Sequence, residues 1–340
     1  MIKIAINGFG RIGRCFLKLA LEKPDVEIVA INDLADDETL AYLLKYDTVY
    51  GKYDRSVRAL TAEGKAYLEV GDKKILSLTE KEATKLPWKA LGVDVVVEAT
   101  GIFTEYDKAA FHLDAGAKRV VITAPAKGKG GKQVLIGVND ADFNKDLPKI
   151  TSNASCTTNA IAAPMAVLCE KIGVKKAILN TVHAYTSTQG LVDRPDSKDL
   201  RRGRAAAQNM APSTTGAAIA TGEALPVLSG KFDGLAVRVP IICVSLADIT
   251  FVAERKTSPE EINQIFKQAE KEPRWQGILK TVEEAVVSSD IIKDPYPAIV
   301  DLSFTKVIDG DLVKILSWYD NEWGYSASLL EHVIRVGKLI

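Results

Sequence analysis

Gly8-Phe9-Gly10-Arg11-Ile12-Gly13 follows a short β-branched run at residues 3–7 and opens a segment of helical periodicity at residues 11–22. That order is demanding. The first glycine permits a tight turn, the second lets a phosphate approach the backbone, and the third lets the helix pack closely on the strand. The helix N-terminus then offers unpaired N–H groups and the positive end of its dipole to an anion. Asp33 ends the next strand, twenty residues beyond Gly13. A carboxylate there accepts hydrogen bonds from an adenosine ribose and repels a 2′-phosphate. Strand, glycine turn, helix and acidic residue together predict a Rossmann unit that binds NAD.

The pattern continues through the first half. Strands are expected at residues 3–7, 27–32, 93–98 and 119–123, with helices at 11–22, 38–45 and 108–115. This alternation predicts an α/β fold with a doubly wound parallel sheet. Residues 57–78, broken by Gly64 and Gly71-Asp72, read as hairpin strands inserted into that plan. The Gly- and Lys-rich segment 127–132 lacks the order of a phosphate-cradling P-loop and reads as a solvated surface loop. After an apolar helical segment at 160–170 the character changes to long strand-like runs at 176–186, 234–253, 298–308 and 312–318. Asp309-Gly310 between the last two is a strong hairpin turn. These runs, with helices at 216–225 and 259–271, predict an α+β domain with a largely antiparallel sheet. The domains expected are residues 1–155 and 156–320. Leu329, Leu330, Val333 and Ile334 fall at helical spacing, so a closing helix within 321–340 is expected to pack back on the first domain. Residues 189–208 form a polar, arginine-rich stretch too long to be a simple connection.

Composition excludes several roles. Lys plus Arg and Asp plus Glu both number 44, so no whole-molecule field draws the chain to nucleic acid or to an acidic membrane. The apolar region 239–253 is interrupted by Ser245 and Asp248 and falls short of the roughly 20 residues a membrane helix needs. With a strand directly after Met1 and no basic or apolar leader, the chain is expected to stay in the cytoplasm. Cys15, Cys156, Cys169 and Cys243 show no paired spacing, so neither a disulfide framework nor a metal site is expected.

Cys156 stands between a strand ending near Thr151 and the helical segment that follows. A thiol in the first turn of a helix feels the positive end of the dipole, which favours thiolate, and a nearby imidazole favours it further. On position alone a free cysteine more often packs as a small hydrophobe. Only His112, His183 and His332 could supply an imidazole.

The motifs resolve this. Ala154-Ser155-Cys156-Thr157-Thr158-Asn159, Asn7 to Arg14, Glu98-Ala99-Thr100-Gly101-Ile102-Phe103-Thr104, His183-Ala184-Tyr185-Thr186, Arg201-Arg202-Gly203-Arg204, Thr215-Gly216-Ala217-Ala218, Val237-Arg238-Val239-Pro240 and Trp318 to Tyr325 occur in that register along the whole chain. The chain resembles the phosphorylating glyceraldehyde-3-phosphate dehydrogenases. The resemblance implies that Cys156 attacks the aldehyde while His183 takes its proton, that NAD accepts a hydride, and that inorganic phosphate cleaves the resulting thioester. It implies that Thr186 and Arg238 hold the substrate phosphate and that Ser155, Thr157, Thr215 and Gly216 surround the attacking phosphate. An arginine of the Arg201-Arg202 pair, Arg202 first, would lie between them. The Cys156 N–H would be the oxyanion donor. On the cofactor side it implies Gly8, Gly10, Arg11, Ile12, Gly13, Asp33, Thr100, Gly101, Thr123 and Asn321, the last holding the nicotinamide carboxamide. A homotetramer is the implied assembly.

Three departures from the family pattern stand out. Ala160 replaces a frequent second cysteine and Ile219 a common lysine, while Arg194-Pro195 occupies a loop that in tetrameric relatives reaches a neighbour's adenosine ribose. The arginine weakens the expected exclusion of NADP. The competing readings are an erythrose-4-phosphate dehydrogenase and a catalytically silent binding or scaffold protein on the same fold.

Overall fold

The computed structural model describes residues 1–197 and 199–340; Lys198, within the 189–208 stretch, lies outside the described residues. The chain divides into two compact units, one made of Met1–Val134, Asp140–Ala154 and Leu329–Ile340, the other of Leu135–Asn139 and Ser155–Ser328.

The first unit is built on a nine-stranded sheet. Six parallel strands run in the order Gly131–Gln133, Ile150–Ser152, Arg119–Ile122, Val95–Glu98, Ile2–Asn7 and Val26–Asn32. Ile2–Asn7 has Val26–Asn32 on one side and Val95–Glu98 on the other, so the strand order reverses there. The crevice at the carboxyl ends of these strands is where open α/β sheets bind ligands. Val95, Val96 and Val97 are fully buried, as expected of a strand covered on both faces. Lys73–Leu78 pairs parallel with Val26–Asn32 and continues antiparallel into Lys65–Val70 and Val57–Ala62, with Glu63 and Gly64 both left-handed at the tip. These are the inserted hairpins.

Two expectations need adjustment. The helix expected at 108–115 begins earlier, as the short turns Tyr106–Ala109 and Phe111–Asp114. Segment 127–132 is not wholly a loop, because Gly131–Gln133 pairs with Ile150–Ser152 as an edge strand. Gly131 is required there because a side chain would run into the Tyr106 ring. The closing helix, Trp323–Gly337, buries Leu329, Leu330, Val333 and Ile334. Its His332 lies 2.8 Å from Thr151 Oγ1 and 3.1 Å from Asn153 Oδ1 within the first unit.

The second unit carries a seven-stranded sheet in the order Ala211–Thr214, Phe232–Val239, Val174–Ala184, Ser245–Ala253, Leu312–Tyr319, Ala298–Ile308 and Leu279–Val282. The sheet is largely antiparallel, as expected, with two parallel pairings: Val174–Ala184 with Phe232–Val239, and Leu279–Val282 with Ala298–Ile308. The remaining pairings are antiparallel. The single run expected at 234–253 splits for the same reason. Its halves lie on opposite sides of Val174–Ala184, so residues 240–244 must cross the end of that strand, next to Ala184. Asp309-Gly310 forms the expected turn, both residues left-handed.

Helix Cys156–Lys171 is buried along almost its whole length from Thr157 to Leu168. Pro164 sits inside it and removes the N–H that would bond Ala160 O. Ser317 Oγ donates to that carbonyl at 3.0 Å, so the helix continues with no unpaired group.

Candidate active site

In the first unit, Gly8 has φ +94, and a side chain there would collide with the Ala99–Thr100 backbone. A side chain at Gly13 would strike Gly8 O. Gly10 is different: a Cβ built there meets nothing within 4 Å. It is the N-cap of helix Arg11–Ala20 and supplies no side-chain cap. The helix N-terminus at Gly10 therefore has clear space beside it, as a pyrophosphate requires. Asp33 Oδ2 accepts from Phe9 N at 2.7 Å and Oδ1 from Ala35 N at 3.0 Å, which fixes the carboxylate beside the glycine turn. These features fit a dinucleotide. The Arg11 side chain turns away to pair with Asp47 at 2.7 Å, so only its backbone faces the turn.

Thr100 N donates to Glu98 Oε1 at 2.9 Å, Gly101 adopts φ +72, and Thr123 N donates to Glu98 O at 3.0 Å. Beneath them lies a buried network that the sequence analysis left out. Glu98 Oε2 accepts from Asn7 Nδ2 at 2.6 Å and lies 2.9 Å from His112 Nε2. Trp88 Nε1 donates to His112 Nδ1 at 3.0 Å. An indole only donates, so His112 carries its proton on Nε2 and donates it to Glu98. An acidic residue closing the apolar run Val95-Val96-Val97 was the available signal.

In the second unit, Cys156 is the first residue of its helix and partly exposed, with Ser155 as N-cap accepting from Thr158 N at 3.0 Å. Its Sγ lies 3.5 Å from His183 Nε2. His183 Nδ1 is 2.7 Å from Ala184 O, and Arg238 Nη1 converges on the same carbonyl at 2.9 Å. Arg238 Nη1 also lies 2.6 Å from Nδ1, so a donor and an acceptor meet at that nitrogen; the tautomer with Nδ1–H on the carbonyl is the one that presents the Nε2 lone pair to the thiol. Burial and then the charge of Arg238 push the His183 pKa down to about 3. Burial pushes the Cys156 thiol up, opposed chiefly by Arg238. Desolvation thus works against the thiolate that the helix N-terminus and Arg238 favour, and it keeps His183 neutral as a base.

Arg238 has no carboxylate within ion-pair distance among the described residues, and neither has Arg202. The Arg202 charge is close enough to act on Arg238, and Arg202 donates to Ser213 Oγ at 3.1 Å. Arg201 instead pairs with Asp199 at 3.2 Å. Two neighbouring guanidinium groups without a carboxylate partner among the described residues are suited to an anion. Thr186 Oγ1 lies 2.8 Å from Thr188 Oγ1, on the segment whose Gly190 N donates to Arg202 O.

The other expected phosphate ligands are less closely gathered. The Thr157 hydroxyl is taken up by Tyr319 OH at 2.8 Å in the core. Thr215 Oγ1 accepts from Ala217 N at 3.2 Å, and Gly216 opens helix Ala217–Ala224; no hydrogen bond ties either to Cys156, His183 or Arg238 among the described residues. Asn321 is buried and accepts from Ser245 Oγ at 3.2 Å. Tyr319 was missed as an individual residue. It bonds Thr157 and Thr181, each at 2.8 Å, and sets its ring edge-on to His183.

A Rossmann-type unit with a clear dinucleotide turn, together with a unit bearing a cysteine–histidine pair beside uncompensated arginines, defines a nucleotide-dependent oxidoreductase. The family profile for the NAD binding domain of glyceraldehyde 3-phosphate dehydrogenase matches residues 2–106, and that for its C-terminal domain matches residues 155–321. The chain is 49% identical to glyceraldehyde-3-phosphate dehydrogenase of Mycolicibacterium smegmatis, over 99% of both chains. It is 46% identical to the Streptomyces coelicolor protein of that name, over 99% of both, and 45% identical to that of Zymomonas mobilis, over 100% of this chain and 99% of the relative. The chain belongs to the glyceraldehyde-3-phosphate dehydrogenase family and is an NAD-dependent oxidoreductase.

Proposed function

We propose that the protein oxidises glyceraldehyde 3-phosphate to 1,3-bisphosphoglycerate with NAD and inorganic phosphate, through a thioester on Cys156. The observation that carries this reading is the 3.5 Å pair of Cys156 Sγ and His183 Nε2 beside Arg238, a cation with no carboxylate partner. His183 takes the thiol proton as sulfur bonds to the aldehyde carbon, and the Cys156 N–H stabilises the oxyanion. His183 returns that proton to the oxyanion, giving the neutral hemithioacetal, and takes it back from the oxygen as a hydride leaves the carbon. NAD supplies the hydride acceptor. Phosphate oxygen attacks the thioester carbon, the C–S bond breaks, and His183 gives its proton to the leaving sulfur, restoring the thiol as the acyl phosphate departs.

Arg238 and Thr186 would hold the substrate phosphate; Arg202, rather than Arg201, would serve the anion site, because Arg201 already has Asp199. Ser155, Gly216 and Thr215 are assigned to the attacking phosphate. Thr157 would contribute through its backbone, since its hydroxyl is engaged by Tyr319. The glycine turn, Asp33, Thr100, Gly101 and Thr123 are assigned to the cofactor, and Asn321 to its carboxamide. The first unit is accordingly read as the cofactor domain and the second as the catalytic domain.

A homotetramer is supported by Leu191, Val192, Leu200 and Met210, which are 71–83% exposed in the arginine-rich stretch of a single chain. Sedimentation analysis tests it. Cytoplasmic residence is supported by the free state of all four cysteines. Among the described residues, no helix is long and apolar enough to cross a membrane. Neither the erythrose 4-phosphate reading nor the silent-scaffold reading is favoured, given the names of the full-length relatives.

A spectrophotometric assay with glyceraldehyde 3-phosphate, phosphate and NAD tests the activity directly. Sustained NADH formation is expected, and none, or equal rates with erythrose 4-phosphate, would overturn the assignment.

A further inference from the structure

The crossing loop at 240–244 contains a backbone that its sequence resists. Val244 adopts φ +72 while fully buried, and a β-branched residue rarely takes that conformation. Lys293 is left-handed too, at φ +69. Both are next to donors that reach one side chain, Asp320, which is fully buried. Cys243 Sγ donates to its Oδ1 at 3.3 Å, and Lys293 N donates to its Oδ2 at 2.7 Å. Glu322 N and Trp323 N also donate to Oδ1, each at 2.9 Å. One carboxylate thus holds the crossing loop, the Lys293 turn and the start of the closing helix.

Asn321 is the residue between those anchored backbones. The residue after Val244 is Ser245, whose Oγ accepts from Ala184 N at 3.2 Å and lies 3.2 Å from Asn321 Oδ1. An amide oxygen only accepts, so the serine hydroxyl is the donor to Asn321 Oδ1, with Tyr319 also in hydrogen-bonding reach of that serine. That ties the amide oxygen to Ser245 and leaves Asn321 Nδ2 as the amide's donor to a ligand.

We propose that Ser245 and Asp320 are positioning residues that aim the Asn321 amide N–H at the carbonyl oxygen of the nicotinamide carboxamide: Asp320 holds the backbone on either side, and Ser245 sets the amide's rotation. This rests on the assignment of Asn321 to the carboxamide. Neither residue touches the cofactor, so each acts through Asn321. A residue with a merely structural role would weaken binding of every dinucleotide alike. One that aims a donor at a carbonyl governs the preference for a carbonyl over a poor acceptor.

The test is equilibrium binding, by titration calorimetry on the full-length enzyme, of NAD and of its thionicotinamide analogue, in which sulfur replaces the carbonyl oxygen. The readout is the ratio of the two dissociation constants. Ser245→Ala, a small change that leaves the loop's anchor intact, should lower the parent's preference for NAD by roughly three- to tenfold, the value of one hydrogen bond. Asp320→Asn should lower it at least as far, because one of its atoms becomes a donor facing donors. Asn321→Ala serves as the reference. If that variant keeps the parent ratio, the assignment of Asn321 fails. If it loses the preference while Ser245→Ala retains it, the positioning proposal is overturned and the assignment stands. Should Asp320→Asn not fold, Ser245→Ala alone decides.

Discussion

Arg238 stands opposite His183 in the parallel pairing of Phe232–Val239 with Val174–Ala184, and its Nη1 lies 2.6 Å from the imidazole Nδ1. A guanidinium stays charged and can only donate, so it opposes a second proton on the ring from the side away from the thiol. Burial is the larger effect and acts in the same direction. The base is thereby kept neutral without any carboxylate partner, and the same cation is left to meet a substrate anion.

A stability profile follows. His183 is held down to about 3, and so is His332, by burial and the nearby Arg335. Between pH 6.5 and 3 the unfolded chain binds these protons and the folded protein does not, so stability is lost as pH falls through that window. Each histidine should contribute a slope of about 1.4 kcal/mol per pH unit at most. Urea unfolding measured from pH 7 to about 4.5, above the range where carboxylates take over, should show the decline. An unfolding free energy that stays flat would contradict the burial of both rings in neutral form.

Removing the nucleophile should separate chemistry from cofactor binding. Cys156→Ala is expected to abolish aldehyde oxidation while keeping NAD affinity, because the glycine turn belongs to the other unit. His183→Asn should retain a slower enzyme, down by roughly 10²- to 10⁴-fold, the usual range for general-base help. Steady-state rates with calorimetric NAD binding would check both. Unchanged turnover in either variant would sink the mechanism.

Turnover should require inorganic phosphate. In its absence a rapid-mixing experiment should show at most a burst of NADH equal to the Cys156 sites, as the thioester accumulates. Continued phosphate-independent NADH production would mean that water cleaves the thioester, and that the anion site serves only the substrate.

Peroxide should inactivate the enzyme in a way that thiols reverse poorly. Ala160 supplies no neighbouring thiol, and Cys169 lies near the far end of the same helix, roughly 20 Å away at 1.5 Å per residue. A disulfide needs Cα atoms within about 7 Å. The sulfenic acid on Cys156 should therefore advance to sulfinic and sulfonic states. Mass spectrometry detecting a Cys156–Cys169 or Cys156–Cys243 disulfide, with activity fully restored by thiol, would refute this.

Arg194 bears on cofactor choice. In the single chain its Nη2 donates to Thr188 O at 3.1 Å, while the residue as a whole remains exposed. In the proposed tetramer a neighbour's guanidinium could pair with a 2′-phosphate and offset repulsion by Asp33. NAD should be preferred, NADP should be used measurably, and Arg194→Leu should reduce kcat/KM for NADP more than for NAD. Equal losses, or no NADP activity in the parent, would count against it.

Local sequence determined the parts whose physics is local. The turn at Gly8 to Gly13 was legible because backbone approach and left-handed geometry demand glycine at set spacing, and Asp309-Gly310 for the same reason. The pairing of Cys156 with His183 was legible through motif resemblance, and the helix after Cys156 through its apolar segment. Tertiary structure decided what depends on partners distant in the chain. The parallel insertion of Phe232–Val239 broke one apolar run into two strands and set Arg238 against His183. Burial, a property of the assembled unit, pushes the Cys156 thiol pKa up against the pull of the helix N-terminus. The Thr157 hydroxyl was taken up by Tyr319 across 162 residues. Side-chain hydrogen bonding, desolvation and crossing connections depend on distances in space, and a pattern along the chain records spacing only along the chain.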